Sequence, residues 1–220
     1  MLITYYGHAL FQLETAEGHV IVMDPYDASV GYPTGKLQGD VITVSHEHHD
    51  HNNTSLVSGN PTILRGEGRF EPLPGLRITG YASFHDDVQG AKRGLNTIFA
   101  VEADGLRVLH LGDLDHMLTP EECGRLGRAD VLLMPVGGFY TIDAAQAEIL
   151  RNDIGARIAI PMHYQTQETA RLPIAPAEEY LRLTGLTPAP MPLLRVTKED
   201  LSQQPKIVLL SIKPMTVPFM

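Results

Sequence analysis

At 220 residues the chain can bury a substantial core and stays within the size of one domain, so a single domain over 1–220 is expected. Apolar residues make up 43% and charged residues 20%, which excludes the disordered and collagen-like classes. The formal charge is -9 at pH 7 and the basic residues are scattered apart from Lys92 and Arg93, so no basic groove for nucleic acid is expected.

In chain order, short β-branched and apolar runs predict strands over Leu2–Tyr6, Ala9–Glu14, His19–Met23, Val41–Val44, Thr62–Leu64, Arg77–Tyr81 and Thr97–Val101. Turn chemistry separates them at Glu17-Gly18, Pro33 to Gly39, Pro72 to Gly75 and Asp104-Gly105, the last joining Thr97–Val101 to Leu106–Leu111 as a hairpin. From Thr119 the texture changes. Thr119-Pro120-Glu121-Glu122 supplies an N-cap, a proline at the first helical position and the glutamate of a capping box for a helix over Pro120–Leu126. Strands follow at Val131–Val136, Arg157–Pro161 and Lys206–Ile212, and helices at Ile142–Ile154 and Pro176–Thr184, each closed by a glycine. A strand-rich first half, a mixed second half and a returning last strand predict an α/β (α+β) fold of two facing sheets with helices outside.

Cys123 is alone, so an internal disulfide and a thiolate zinc site are both excluded, and it is read as a small buried thiol. The opening MLITYYGHALFQLE has neither a basic start nor an unbroken apolar stretch, and no run is long enough to span a bilayer. Cytoplasmic residence without membrane partners is the expectation. Oligomeric state is not legible in the sequence.

Chemistry concentrates in Ser45-His46-Glu47-His48-His49-Asp50-His51, which follows an apolar β-branched run. Side chains two apart on an extended chain face the same way, so His46 and His48 reach one cation together, while the turn beyond aims Asp50 and His51 at a second. Imidazole and carboxylate suit zinc, manganese and iron, and a mixed set is expected of a catalytic site that keeps a water. Three more candidates follow apolar runs: His85, Asp113 in His110-Leu111-Gly112-Asp113, and His163.

The string His46-x-His48-x-Asp50-His51, with His85, Asp113 and His163, resembles the metallo-β-lactamase superfamily over essentially the whole chain. The resemblance implies a four-layer αββα sandwich with His46, His48 and His85 on a first ion, Asp50, His51 and His163 on a second, and Asp113 bridging. Asp24 is similar to the family's first motif, a carboxylate that buttresses the cluster. Gly7-His8 and the lack of an appended module resemble the branch that includes L-ascorbate-6-phosphate lactonase.

The expected function is hydrolysis of a small, anionic ester, lactone or phosphoester. Two divalent ions, zinc first with manganese or iron as alternatives, would activate a hydroxide that Asp50 orients. His116, three residues beyond Asp113, is the candidate proton donor, whereas His8, His19, His49 and His110 are read as satisfied core or surface residues. Lys92 and Arg93, and backbone amides of Gly137 to Thr141 at a helix start, are candidate grips for an anion. A nuclease on the same metal core would need a basic surface that is absent. A redox or purely metal-binding protein is the third reading; related di-iron enzymes replace the second histidine with an acid and append a flavin domain, and His48 and the chain length oppose it.

Overall fold

The computed structural model describes residues 1–202 and 206–215. Its strands are β1 (Leu2–Tyr5), β2 (Phe11–Glu14), β3 (Val20–Met23), β4 (Leu37–Gln38), β5 (Val41–Val44), β6 (Val57–Ser58), β7 (Thr62–Arg65), β8 (Gly68–Leu73), β9 (Leu76–Phe84), β10 (Leu95–Ala103), β11 (Leu106–His110), β12 (Val131–Pro135), β13 (Ile158–Met162), β14 (Leu194–Arg195) and β15 (Lys206–Ile207). The helices are α1 (Pro120–Leu126), α2 (Ala144–Ile154) and α3 (Ala177–Thr184). One sheet runs β14-β1-β2-β3-β5-β7 and the other β15-β13-β12-β11-β10-β9-β8, while β4 and β6 form a small pair of their own.

Strands apolar at every position must be covered on both faces. Hence Ile21 and Met23 of β3 join the core between the sheets, against Phe99, Val101 and Leu109, while Val22 points outward with Ile42 and Val44 into a second cluster. The outer face of the second sheet is covered by the helices, through Leu126, Ala147, Leu150 and Tyr180. This is the expected mixed α/β arrangement. Over the first sheet the outer layer is thin, built from two 3₁₀ turns, Ala28–Val30 and Thr54–Leu56, and the loops around them.

The capping box of α1 is present, with the Thr119 side chain accepting from Glu122 N, and Asp143 and Gln146 form another on α2. Two expectations change at sheet edges. The Pro72 to Gly75 turn begins inside β8, an edge strand whose Arg69 and Glu71 are exposed and whose pairing with β9 is shifted between Phe70 and Leu73. The last strand stops at Ile207, because Leu209 and Ser211 exchange backbone bonds with Met191 instead of continuing along β13. No helix among the described residues is long and apolar enough to cross a membrane.

The strand directions put six chain exits at one rim. His8 follows β1, Asp24 follows β3, His46 to His51 follow β5, His85 follows β9, Asp113 follows β11 and His163 follows β13. All lie just past carboxyl ends of strands, the side on which open sheets carry their sites.

Candidate metal centre

After β5 the chain turns back at once: the backbone N–H groups of His51 and Asn52 both donate to the His48 carbonyl, at 2.9 and 3.1 Å. Three sets of donor atoms then lie within 4.8 Å of one another: His46, His48 and His85; His46, His51 and Asp113; and His8, Asp50, His51 and His163. Asp113 joins them. Its Oδ2 stands 3.3 Å from Nε2 of His51, of His85 and of His163. Two donors about 2.0–2.1 Å from one tetrahedral cation are about 3.3–3.4 Å apart, so this spacing suits shared ligation.

Whether a cation fits is tested by the atoms left without partners. Nε2 of His46, Nε2 of His51 and Oδ1 of Asp113 are buried with no hydrogen bond. Such orphans are rare in protein interiors, and divalent cations held among them would satisfy all three. The opposite sides of these rings are occupied. His51 Nδ1–H donates to Asp24 Oδ2 at 2.9 Å; Ser45 Oγ–H donates to the same oxygen at 2.5 Å and can therefore accept Nδ1–H of His46 at 2.9 Å. One buried carboxylate thus fixes two tautomers and turns both Nε2 lone pairs toward the cluster.

Asp113 is placed by its approach. Its N–H donates to Asn96 Oδ1 at 3.0 Å, and Gly112 sits at φ 57 with the position of a Cβ only 2.3 Å from that oxygen and 2.7 Å from Ser45 Cβ. Only glycine fits between the sheets there. His110 serves the same turn: Nε2–H donates to Ala9 O at 2.9 Å and Nδ1 accepts from Gly112 N at 3.1 Å.

Burial opposes every charge in the cluster, yet opposite charges prevail at its centre. The imidazoles of His163 and His51 hold the Asp113 carboxyl well below the usual range despite its burial. Burial likewise works against a charged His51, but Asp113 and Asp24 raise its pKa well above the ordinary imidazole value. Burial and His51 lower His46 to about 3, and burial and His163 lower His8 to about 4. The metal-free cluster therefore favours a proton on His51, which a cation must displace. Metal uptake at pH 7 is expected to release about one proton, read by calorimetric titration in two buffers of unlike ionisation enthalpy. No proton release would overturn the charge assignment. Because the His51 pKa is raised on folding, the stability it lends the metal-free protein is complete below about 6.5 and is lost as pH rises through the raised value.

A profile of the β-lactamase superfamily domain matches residues 2–163. The chain is 31% identical over 193 residues to a UPF0173 metal-dependent hydrolase of Methanoregula boonei, covering 76% of this chain and 84% of that one. It is 31% identical over 198 residues to the Archaeoglobus fulgidus UPF0173 metal-dependent hydrolase, covering 76% and 84%. A crystal structure from Thermotoga maritima, of a protein assigned to the Zn-dependent hydrolases of the metallo-β-lactamase superfamily, superposes with a TM-score of 0.79 at 36% identity, over 94% of this chain and 97% of that one. The chain belongs to the metallo-β-lactamase superfamily. These relatives carry no lactonase name, so the narrower likeness to the ascorbate-6-phosphate lactonase branch has no counterpart among them.

In this superfamily member the cluster opens into a cavity of about 400 Å³ lined by His8, Asp50, His85, Arg93, Tyr140 and Arg171 among others. Arg93 is fixed by Asp115 at 2.7 Å and by the Phe139 carbonyl at 2.9 Å, and lies over the Tyr140 ring. Lys92 points elsewhere, onto exposed Asp87 at 3.0 Å. The split arises because buried Asp86 accepts the backbone N–H of Val88, Gly90, Lys92 and Arg93 and so sets the course of the loop. Arg171, which donates to Ser29 O, has no signal in the sequence beyond its charge.

Two expectations meet different geometry. His116 does not line the cavity: its Nε2 accepts from Phe84 N at 3.3 Å and its Nδ1–H donates to Met117 O at 3.1 Å, so neither ring nitrogen is turned toward the cluster. Three residues along an irregular loop do not fix a direction. Of the Gly137 to Thr141 amides, Gly138 N and Tyr140 N bond within the loop, to Ile142 O and Gly138 O, and the start of α2 is capped by Asp143. Gly137 instead permits close passage, its Cβ position lying 2.2 Å from His163 O. His8 reaches the centre although it was expected among the satisfied histidines. Its sequence signal is the one that marks His85 and His163, a histidine just beyond an apolar run.

Proposed function

We propose that this metal-dependent hydrolase acts on a small anionic ester, lactone or phosphoester with two divalent cations, zinc or alternatively manganese or iron. His46, His48 and His85 would hold one cation, Asp50, His51 and His163 the other, and Asp113 both. Such a pair supplies an activated water and polarises the bond to be cut. The chain's own residues do the rest. Asp113 brings the anionic charge that two neighbouring cations require. Asp24 keeps His51 and, through Ser45, His46 in the donor tautomer. Arg93, immobilised before substrate arrives, offers charge without losing rotamer freedom on binding.

The observation that carries the substrate class is the opening of Arg93 and Arg171 into the same cavity as the donor cluster. A cavity of about 400 Å³ lies toward the lower end of small-molecule sites and leaves no room for a polymer to be enclosed. A guanidinium–anion hydrogen bond contributes about 1.5–3 kcal/mol, so Arg93→Ala is expected to raise KM for an anionic substrate about 10-fold or more with little change in kcat. The test is a metal-reconstituted screen of ester, lactone and phosphoester pairs that differ only in carrying a carboxylate or phosphate. Equal turnover of charged and neutral members, or an unmoved KM in the Arg93 variant, would overturn the anionic reading.

A further inference from the structure

Among the side chains gathered at the rim, His8 is the one supplied by the first turn of the chain, between β1 and β2. That turn is sterically demanding. Gly7 sits at φ 102 with its Cβ position 2.8 Å from the Tyr32 ring, and His8 itself takes φ 54, a region that L side chains rarely adopt. Non-glycine residues with positive φ persist where surroundings over-determine them, and here they do. The His8 carbonyl accepts from His163 N and from the Tyr5 hydroxyl, each at 2.9 Å, and the next carbonyl accepts from His110 at 2.9 Å. His163 and Asp24, at φ 50 and 49, share the same backbone region at the same rim.

The turn delivers a side chain only 2% exposed, with its ring centroid 4.1 Å from that of His163 and 5.1 Å from that of His51. His8 Nε2 lies 3.1 Å from Asp50 Oδ2. Asp50 needs such a partner. Its side chain is 25% exposed, and the bond from His8 is the hydrogen bond its carboxylate makes among the described residues. By contrast, Asp113 is enclosed by three imidazoles.

We propose that His8 is a positioning residue of the metal centre, whose Nε2–H holds the Asp50 carboxylate in the orientation that meets His51 and His163 around the second cation. The inference rests on the two-cation reading above. A carboxylate freed from that bond can turn into solvent, and loss of an outer partner of this kind typically weakens metal binding 10–100-fold. The effect falls on one cation, because His46, His48 and His85 make no hydrogen bond to His8 among the described residues.

The experiment titrates the full chain with Zn²⁺ and Co²⁺ against a chelator, following both binding steps and the cobalt d–d spectrum, for the unaltered chain, His8→Phe and His8→Gln. Phenylalanine keeps a ring against His163 without the N–H; glutamine places an N–H donor near Nε2. The expected result is an unchanged first step in both variants, a second step weakened 10–100-fold in His8→Phe, and recovery of most of that loss in His8→Gln. An unchanged second step in His8→Phe overturns the proposal. So does a glutamine variant no better than phenylalanine, which would mark packing or direct ligation instead of N–H donation. His8→Leu replaces His8→Phe, with the same two outcomes, if the larger ring prevents folding. Uptake of a single cation by the unaltered chain sinks the two-cation reading and this inference with it, whereas two steps there with no response to His8 sink the inference alone.

Discussion

Asp113→Ala is expected to abolish uptake of both divalent cations and with it hydrolysis. Three imidazoles meet its Oδ2 at 3.3 Å, and two of them, His85 and His163, belong to different donor sets, so this carboxylate lies between the two. Removing an outer partner costs about 10–100-fold in metal affinity, and a donor common to both cations should cost more than about 100-fold for each, or about 2.7 kcal/mol per cation. The metal-free fold should survive. The turn at Gly112 is held by backbone N–H bonds to the His110 and Asn96 side chains, although His51 loses the stronger of the two carboxylates that favour its charge and keeps Asp24. The thermal midpoint of the chelator-treated variant at pH 7 is therefore expected to lie below that of the unaltered chain, because the buried His51–Asp113 pair is broken, while the rise on adding metal disappears. Metal content after dialysis and melts with and without Zn²⁺ check this. Undiminished metal content would remove Asp113 from the centre.

What the sequence discloses about this chain follows from periodicity and from strand ends. An apolar run followed by His or Asp locates His46, His85, Asp113 and His163, because a buried strand delivers its next residue to a sheet edge whatever the loop does afterwards. The same grammar at Tyr5-Tyr6-Gly7-His8 marks His8, but one histidine without a neighbouring donor carries little weight until the turn is seen to fold back on β13. Loop direction is a different matter. His116 and Lys92 sit at favourable spacings and turn away, since Phe84 N from a distant strand and the adjacent Met117 O hold His116, and Asp87 within its own loop holds Lys92. Arg171 comes to the cavity through a loop whose path is set by long-range contact with Ser29, 142 residues away. At fold level the facing sheets were legible from continuous apolar strands. The thin outer layer over the first sheet was not, because Leu37, Leu56 and Val57 lie in two-residue strands and a 3₁₀ turn, elements too short to show a periodicity.

Asp24→Asn is expected to impair the centre without touching a cation. Asp24 is fully buried and accepts three hydrogen bonds: from Ser45 N at 2.8 Å, from Ser45 Oγ at 2.5 Å and from His51 Nδ1 at 2.9 Å. Asparagine is nearly the same shape and tolerates the φ of 49 found there. Its NH₂, however, must face either Ser45 N–H or the His51 side, and both positions now need an acceptor. Facing His51, it invites the other tautomer, in which Nε2 carries the proton and has no lone pair to give. Facing Ser45, it leaves a buried N–H unpaired, at a cost of about 1–3 kcal/mol. The Ser45 hydroxyl transmits the same disturbance to His46, so both donor sets are affected. A 10–100-fold loss of affinity is expected for the cation held by His51. A fall in the metal-free thermal midpoint of roughly 2–12 °C should accompany it, from about 2–4 °C per kcal/mol for a chain of this size. Chelator competition and thermal melts read the two effects separately. An Asp24→Asn chain with native metal affinity would show that the tautomers of His46 and His51 are set by something other than this carboxylate.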